Sequence, residues 1–316
     1  MKPIALYYSI MGFQATSLSL LNSYFEVREL QNPTQDSEQL LRDVQVLFAP
    51  LGYLTNKAKM DQCENLVAIA SNTTGHPHID VEYAKNKGIS VVTLKDEKQF
   101  LQTITPTAEL TLGLIVAITR NIVPAVDSVL GGEWNRRKHG GSRMLSRMSI
   151  GIVGYGRLGS LVSNYVQSLG MRVGYYDPFL GRRPNVHQYH SLEELVSESD
   201  VVTVHVPHEI TTENIIDKNL LAAFKDDSYL INTSRGELVD NEALIDALTS
   251  GKLAGAALDV IDGEFAPDFR VNNSLLWDYA RANNNLIITP HIGGSTIDAW
   301  GLTEDHTIRV LIKLFE

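Results

Sequence analysis

The sequence predicts an α/β protein with two parallel sheets, the second inserted into the first. Three observations carry that expectation. Short apolar runs alternate with helical patterns before residue 95, and the alternation restarts near residue 148. A glycine-rich turn, GIVGYGRLG at 151–159, opens the second series almost halfway along the chain.

In the first series IALYYSI, FEVREL, VQVLFAP, LVAIASN and SVVTL read as strands. Between them lie amphipathic stretches such as SEQLLRDV and VEYAKNKG, the latter closed by Gly88 as a C-cap. Strands alternating with helices imply a parallel sheet covered on both faces. One long helical region is expected over about 98–120 and another over about 121–131 around Pro124, followed by the polar loop RRKHGGSR. Then MSIGIVGYG, RVGYYD, DVVTVHV, SYLINTS, AGAALDV and NLIITPH give six strands, enough for a Rossmann-type sheet. The tail STIDAWGLTEDHTIRVLIKLFE is helical in pattern and is expected to pack back onto the first sheet. Residues 1–98 with 290–316 would then form one discontinuous domain and 99–289 the inserted one, with a hinge at the two crossings.

Bulk properties exclude several classes. The chain has 316 residues, 44% of them hydrophobic, which suits two globular domains. A net charge of −10, with no basic run longer than RRK at 136–138, argues against a nucleic-acid partner. The single cysteine, Cys63, allows no intramolecular disulfide and agrees with a reducing compartment. The N-terminus carries no secretory pattern, and LTLGLIVAI at 110–118 falls short of the roughly 20 residues needed to cross a bilayer. A cytoplasmic protein without a membrane partner is expected.

Gly154, Gly156 and Gly159 follow an apolar strand and open a helix, the setting that gives a GxGxxG pattern its meaning. Gly154 permits the tight turn, Gly156 lets the backbone approach a pyrophosphate, and Gly159 permits close packing of helix on strand. Arg157 and Leu158 complete the first helical turn, whose N–H groups face the phosphates. The next strand ends in Asp177, placed to accept from ribose hydroxyls and to repel a 2′-phosphate, so the cofactor is expected to be NAD. Arg182 and Arg183 close behind leave some NADP use open.

Three further residues follow strand candidates: Arg235 in LINTSRGELVD, Glu264 in GAALDVIDGEF and His291 in LIITPHIGGST. In an open parallel sheet the strands' carboxyl ends face the ligand crevice, so all three belong on the side of the glycine turn. Singly, each has an ordinary reading: a turn-capping arginine, a solvated glutamate, a loop histidine. Together they suggest catalysis.

These segments, with SNTTGHPHID at 71–80, resemble the D-isomer-specific 2-hydroxyacid dehydrogenase family, through nearly the whole chain. The resemblance implies a flavodoxin-like first domain that binds substrate and an inserted Rossmann-like NAD domain. It implies that Arg235 binds the substrate carboxylate and polarises its 2-oxo group, that His291 is the acid/base, and that Glu264 fixes its tautomer. By the same resemblance Asp259 lies near the nicotinamide carboxamide, Thr233 offers backbone contacts, and His205 and Pro207 flank the adenosine. Thr74 and Gly75 match the loop that receives the substrate carboxylate, and TRNIVPAVDSVLGGEW matches an arm that pairs two copies into a homodimer. Two positions depart from the family pattern: Phe265 follows Glu264 where proline is usual, and Pro77 stands where aspartate is usual.

The expected function is therefore NAD-dependent transfer of a hydride between nicotinamide and C2 of a D-2-hydroxyacid or 2-oxo acid. The alternative is a catalytically weak protein of the same fold that senses NAD(H). No metal is expected, since the pairs His76/His78, His187/His190 and His205/His208 lack a clear third ligand.

Overall fold

Two series of parallel strands organise the chain, and the computed structural model describes residues 2–266 and 268–316. It divides into two units, Met1–Ile104 with Ser295–Glu316, and Thr105–Gly294.

In the first unit the strands are β1 (Ile4–Tyr8), β2 (Glu26–Leu30), β3 (Val46–Phe48), β4 (Ala68–Ala70) and β5 (Ser90–Val92). They pair in parallel in the order β2-β1-β3-β4-β5, which is flavodoxin-like. Successive side chains alternate between faces. Tyr7 and Phe48 join one core, Leu6, Tyr8 and Leu47 the other. The helices Ala15–Tyr24 and Ile297–Lys313 cover the first face, so the C-terminal tail does return to this sheet. Ile308 and Leu311 are fully buried there, and Phe315 meets Phe25 edge-on at 5.6 Å. Each such aliphatic side chain contributes roughly 1.5–3 kcal/mol by burial.

The second unit holds β6 (Ser149–Val153), β7 (Arg172–Tyr176), β8 (His187–Gln188), β9 (Val201–Val204), β10 (Ser228–Asn232), β11 (Leu253–Leu258) and β12 (Leu286–Ile288). Their order, β12-β11-β10-β9-β6-β7-β8, is the doubly wound Rossmann arrangement, with the switch point between β6 and β9. Seven strands form where six were expected. The extra one, β8, is a two-residue edge strand, too short to show a period in sequence. Ile150, Ile152, Ile231 and Ala257 face the helices Pro106–Thr119 and Arg157–Ser168. Val202, Val204, Leu230 and Leu258 face the helices Leu192–Glu198, Lys218–Ala223, Asn241–Thr249 and Leu275–Ala282.

The single helical region expected over about 98–120 is two helices, Lys98–Leu101 and Pro106–Thr119, because proline has no N–H and its ring clashes with the carbonyl four residues back, so it is tolerated at a helix start and not in the interior. The stretch 98–119 has the length and composition of a membrane span, but Ala108, Leu114, Ile115 and Ile118 use that apolarity in the core of the second unit. The next helix, Ile122–Leu130, buries no residue: Ile122, Val123, Val126, Val129 and Leu130 are all exposed.

At the amino ends of β6 and β9 the almost fully buried carboxylate of Asp200 accepts from Lys225 Nζ and Arg143 Nη1, each at 2.6 Å, and from the Ser149 N–H at 2.8 Å. Burial opposes its charge, but these donors outweigh burial and hold the carboxyl well below the usual carboxylate range. A depressed pKa contributes stability above the unfolded-state value of about 3.9 and loses it as the pH falls toward the folded value. Asp200→Ala should lower unfolding stability by about 2–3 kcal/mol at pH 7. In urea titrations the gap to wild type should narrow from pH 7 toward pH 3; a gap independent of pH would sink this account.

Candidate active site

Beyond β6 the chain turns at Gly154, with φ +87°, a conformation that strains any residue with a Cβ. A Cβ there would also stand 2.7 Å from Val206. Gly159 is bound by space instead: its Cβ would lie 2.2 Å from the Gly154 carbonyl, where helix meets strand. The face of Gly156 is open, and Gly156 gives the helix Arg157–Ser168 no side-chain cap. The first N–H groups of that helix carry the positive end of its dipole, and those of Leu158 and Gly159 have no intrahelical acceptor. An open backbone face beside an uncapped helix start suits a pyrophosphate.

Asp177 closes β7 beside this turn. One carboxylate oxygen accepts from the Tyr155 N–H at 2.9 Å and the other from the Phe179 N–H at 3.0 Å. These bonds aim the group and leave lone pairs for ribose hydroxyls. His205 follows β9, its carbonyl against Gly154. Its Nε2 lies 3.0 Å from the Thr203 hydroxyl, while Nδ1 is buried without a partner among the described residues. Enclosure pushes this imidazole down to about 4, so it is neutral at pH 7, although the residue as a whole is only half-buried. Pro207, two residues on, is exposed.

The acid/base candidates meet at the ends of β11 and β12. His291 Nδ1 and Glu264 Oε1 are 2.8 Å apart, with Glu264 13% exposed and His291 35% exposed. A carboxylate on Nδ1 keeps the proton there and leaves Nε2 for a reacting atom. His291 itself has φ +50°, unusual for a residue with a Cβ and costing on the order of 1–3 kcal/mol. Asp259 holds it there. This buried carboxylate accepts from the Thr289 hydroxyl, from the Ile292 N–H at 2.9 Å and from the Gly293 N–H at 2.7 Å, and its backbone carbonyl accepts from the His291 N–H at 2.9 Å. Phe265, at the position where the family usually has proline, lies with its ring 5.6 Å from that of His291.

Arg235 does not join the His291–Glu264 pair directly. Its Nη1 donates to the Ser234 carbonyl at 2.6 Å, and its turn packs so closely on residues 261–262 that a Cβ at Gly236 would stand 2.1 Å from their backbone. Thr233 is buried, and its hydroxyl lies 2.8 Å from that of Thr111. In the first unit, Thr74 and Gly75 lie in the loop after β4, where neither N–H has a protein acceptor among the described residues.

Two contributors escaped the sequence reading. Asn232, buried at the end of β10, donates from its amide to the Arg235 carbonyl at 2.7 Å and accepts from the Ser234 N–H at 3.0 Å, fixing the arginine turn. An asparagine closing an apolar strand before a turn was its available signal. Thr111 is far away in sequence and had none.

Comparison with known proteins agrees with this geometry. Residues 112–293 match the family model described as D-isomer specific 2-hydroxyacid dehydrogenase, NAD binding domain. The chain is 35% identical over 309 residues to a glyoxylate reductase of Thermofilum pendens, covering 92% of this chain and 85% of that one. It is 34% identical over 282 residues to a D-3-phosphoglycerate dehydrogenase of Methanocaldococcus jannaschii, covering 87% of this chain but spanning only 51% of that longer protein. A D-lactate dehydrogenase structure from Aquifex aeolicus, in complex with NAD and lactic acid, superposes with a TM-score of 0.83 at 27% identity, covering 98% of this chain and 95% of that one. With an open glycine turn, a carboxylate at the end of the next strand and a matched NAD-binding domain in one unit, the chain belongs to the D-isomer-specific 2-hydroxyacid dehydrogenase family and NAD is its cofactor.

Proposed function

We propose that the protein interconverts a D-2-hydroxyacid and its 2-oxo acid, with NAD(H) as redox partner. The observation that carries the reading is the contact of the half-buried Glu264 carboxylate with His291, on a backbone held in a strained conformation by Asp259. Strain of this kind is retained where geometry is used.

Gly154, Gly156, Arg157, Leu158 and Gly159 hold the pyrophosphate, Asp177 the ribose, and His205, Pro207, Thr233 and Asp259 flank the rest of the dinucleotide. When bound, the reduced cofactor supplies a hydride to C2 of the oxo acid. Arg235 grips the carboxylate and 2-oxo group in a fork geometry suited to two adjacent oxygens, and the N–H groups of Thr74 and Gly75 suit a substrate carboxylate. His291 donates a proton from Nε2 to the carbonyl oxygen during reduction and takes it back during oxidation. Glu264 stabilises the charged imidazole and prevents it from turning. Reduction uses the protonated histidine and oxidation the neutral form. The relatives' names, glyoxylate reductase and phosphoglycerate dehydrogenase, point to small 2-oxo acids. The reaction belongs in the cytoplasm, as the single buried Cys63 suggests.

The exposed apolar helix Ile122–Leu130, continued by Trp134 at 89% exposure, supports a homodimer formed through this arm. Val126→Glu combined with Val129→Glu should halve the mass seen by sedimentation equilibrium; an unchanged mass would reject the arm as the interface.

Loss of NADH absorbance with a panel of 2-oxo acids tests the activity. His291→Ala should lower kcat by about 10²–10⁴-fold. Glu264→Gln, which keeps an acceptor but removes the charge, should lower kcat by about ten-fold. NADH binding without turnover of any panel member would favour a sensor of NAD(H) instead.

A further inference from the structure

The first unit holds a buried polar chain that the reaction itself does not use. His78 is 5% exposed, and its Nε2 lies 3.2 Å from both the Ala49 carbonyl and the Ser71 hydroxyl. The Ser71 and Thr73 hydroxyls are 2.9 Å apart, and Thr73 donates to the Gly75 carbonyl at 2.7 Å. The two ends fix the direction of every proton. A carbonyl only accepts, so Nε2 carries the hydrogen toward Ala49 and shares it with Ser71. Thr73 spends its hydrogen on Gly75 and must accept from Ser71. The chain therefore runs one way, from His78 through Ser71 and Thr73 to the Gly75 carbonyl.

This direction matters at the far end. A planar trans peptide whose carbonyl is drawn toward Thr73 points its N–H, that of His76, the opposite way. The N–H groups of Thr74, Gly75 and His76 have no protein acceptor among the described residues, so the relay orders a loop that offers successive donors. The other imidazole nitrogen, Nδ1, is buried without a partner among the described residues, and burial pushes the His78 pKa down. The ring stays neutral, with its one hydrogen committed to the relay.

We infer that His78 is a positioning residue: through Ser71 and Thr73 it sets the donor loop at 74–76 that receives the substrate carboxylate. The inference deepens the function proposed above and rests on it for the identity of the ligand. Its reach is specific to binding. Substrate KM depends on the relay, whereas the proton transfer at His291 does not.

The test uses the full chain and the 2-oxo acid that it reduces best. His78→Phe, which fills the site without a donor, and Thr73→Val should each raise KM about ten-fold with kcat changed less than about two-fold. The double variant should be no worse than either single one, because one broken link disables the relay. His78→Gln, whose amide can replace Nε2–H, should restore KM. Unchanged KM in both single variants, multiplicative effects in the double, or failure of His78→Gln to restore KM would each overturn the inference.

Oxalate protection against thermal unfolding separates this result from the fate of the proposed activity. Protection should need the same oxalate concentration in wild type, His78→Gln and His291→Ala, and about ten-fold more in His78→Phe and Thr73→Val. That pattern in a protein without turnover would keep the carboxylate loop and dismiss the dehydrogenase reading. Equal protection in all five proteins would dismiss the relay whatever the turnover.

Discussion

One row of residues across the second sheet sets the position of almost every candidate site residue of its unit. Parallel pairing puts Tyr176 beside Val153, Val153 beside Val204, Val204 beside Asn232, Asn232 beside Leu258, and Leu258 beside Ile288. The next residue on each strand is Asp177, Gly154, His205, Thr233, Asp259 or Thr289. Six strands thus release the chain at one level, where ladder bonds still hold Gly154, His205, Asp259 and Thr289 by their N–H groups. A one-residue slip on any strand would exchange its two side-chain faces, which the two apolar cores forbid. Core packing therefore fixes the level at which the site begins.

The loops then convert that level into chemistry with short polar contacts. Asn232 folds the turn carrying Arg235 back over the end of its own strand. Asp259 does the equivalent for the turn beyond β12, with three donors on one carboxylate. Both are buried, so the bonds they make are costly to lose and restrict the turns to a single shape. The strained backbone at His291 is the result of this restriction, and it presents the ring to Glu264. Phe265 adds an apolar neighbour beside the ring, in place of the rigid residue usual in the family.

What could be read from sequence, and what could not, follows from the range of each interaction. The glycine turn was legible because strand, turn and helix are adjacent along the chain, and the structure gives Gly154 and Gly159 distinct steric reasons. The strand ends bearing Arg235, Glu264 and His291 were legible because apolar runs stop there. The contact between Glu264 and His291 spans 27 residues and came from the resemblance alone. The hydroxyl pairing of Thr111 with Thr233 spans 122 residues, and neither residue has a pattern that announces it. The strand β8 was missed because two residues cannot display alternation, and the break before Pro106 because an apolar run conceals a backbone constraint.

The first unit repeats the same logic with different residues. Phe48, Ala70 and Val92 form a row on β3, β4 and β5, and the chain leaves that row at Ala49, Ser71 and Thr93. His78 reaches back to the first two of these exits, joining the Ala49 carbonyl to the Ser71 hydroxyl. In each sheet a buried polar side chain thus closes a loop onto adjacent strand ends: Asp259 in the second, His78 in the first. The two differ in charge. Asp259 gathers backbone N–H groups inward and leaves fewer for a ligand, whereas His78 acts through hydroxyls on a carbonyl and leaves the loop's N–H groups available. A loop that must carry a catalytic side chain is better served by the first arrangement. A loop that must bind an anion with its own backbone requires the second.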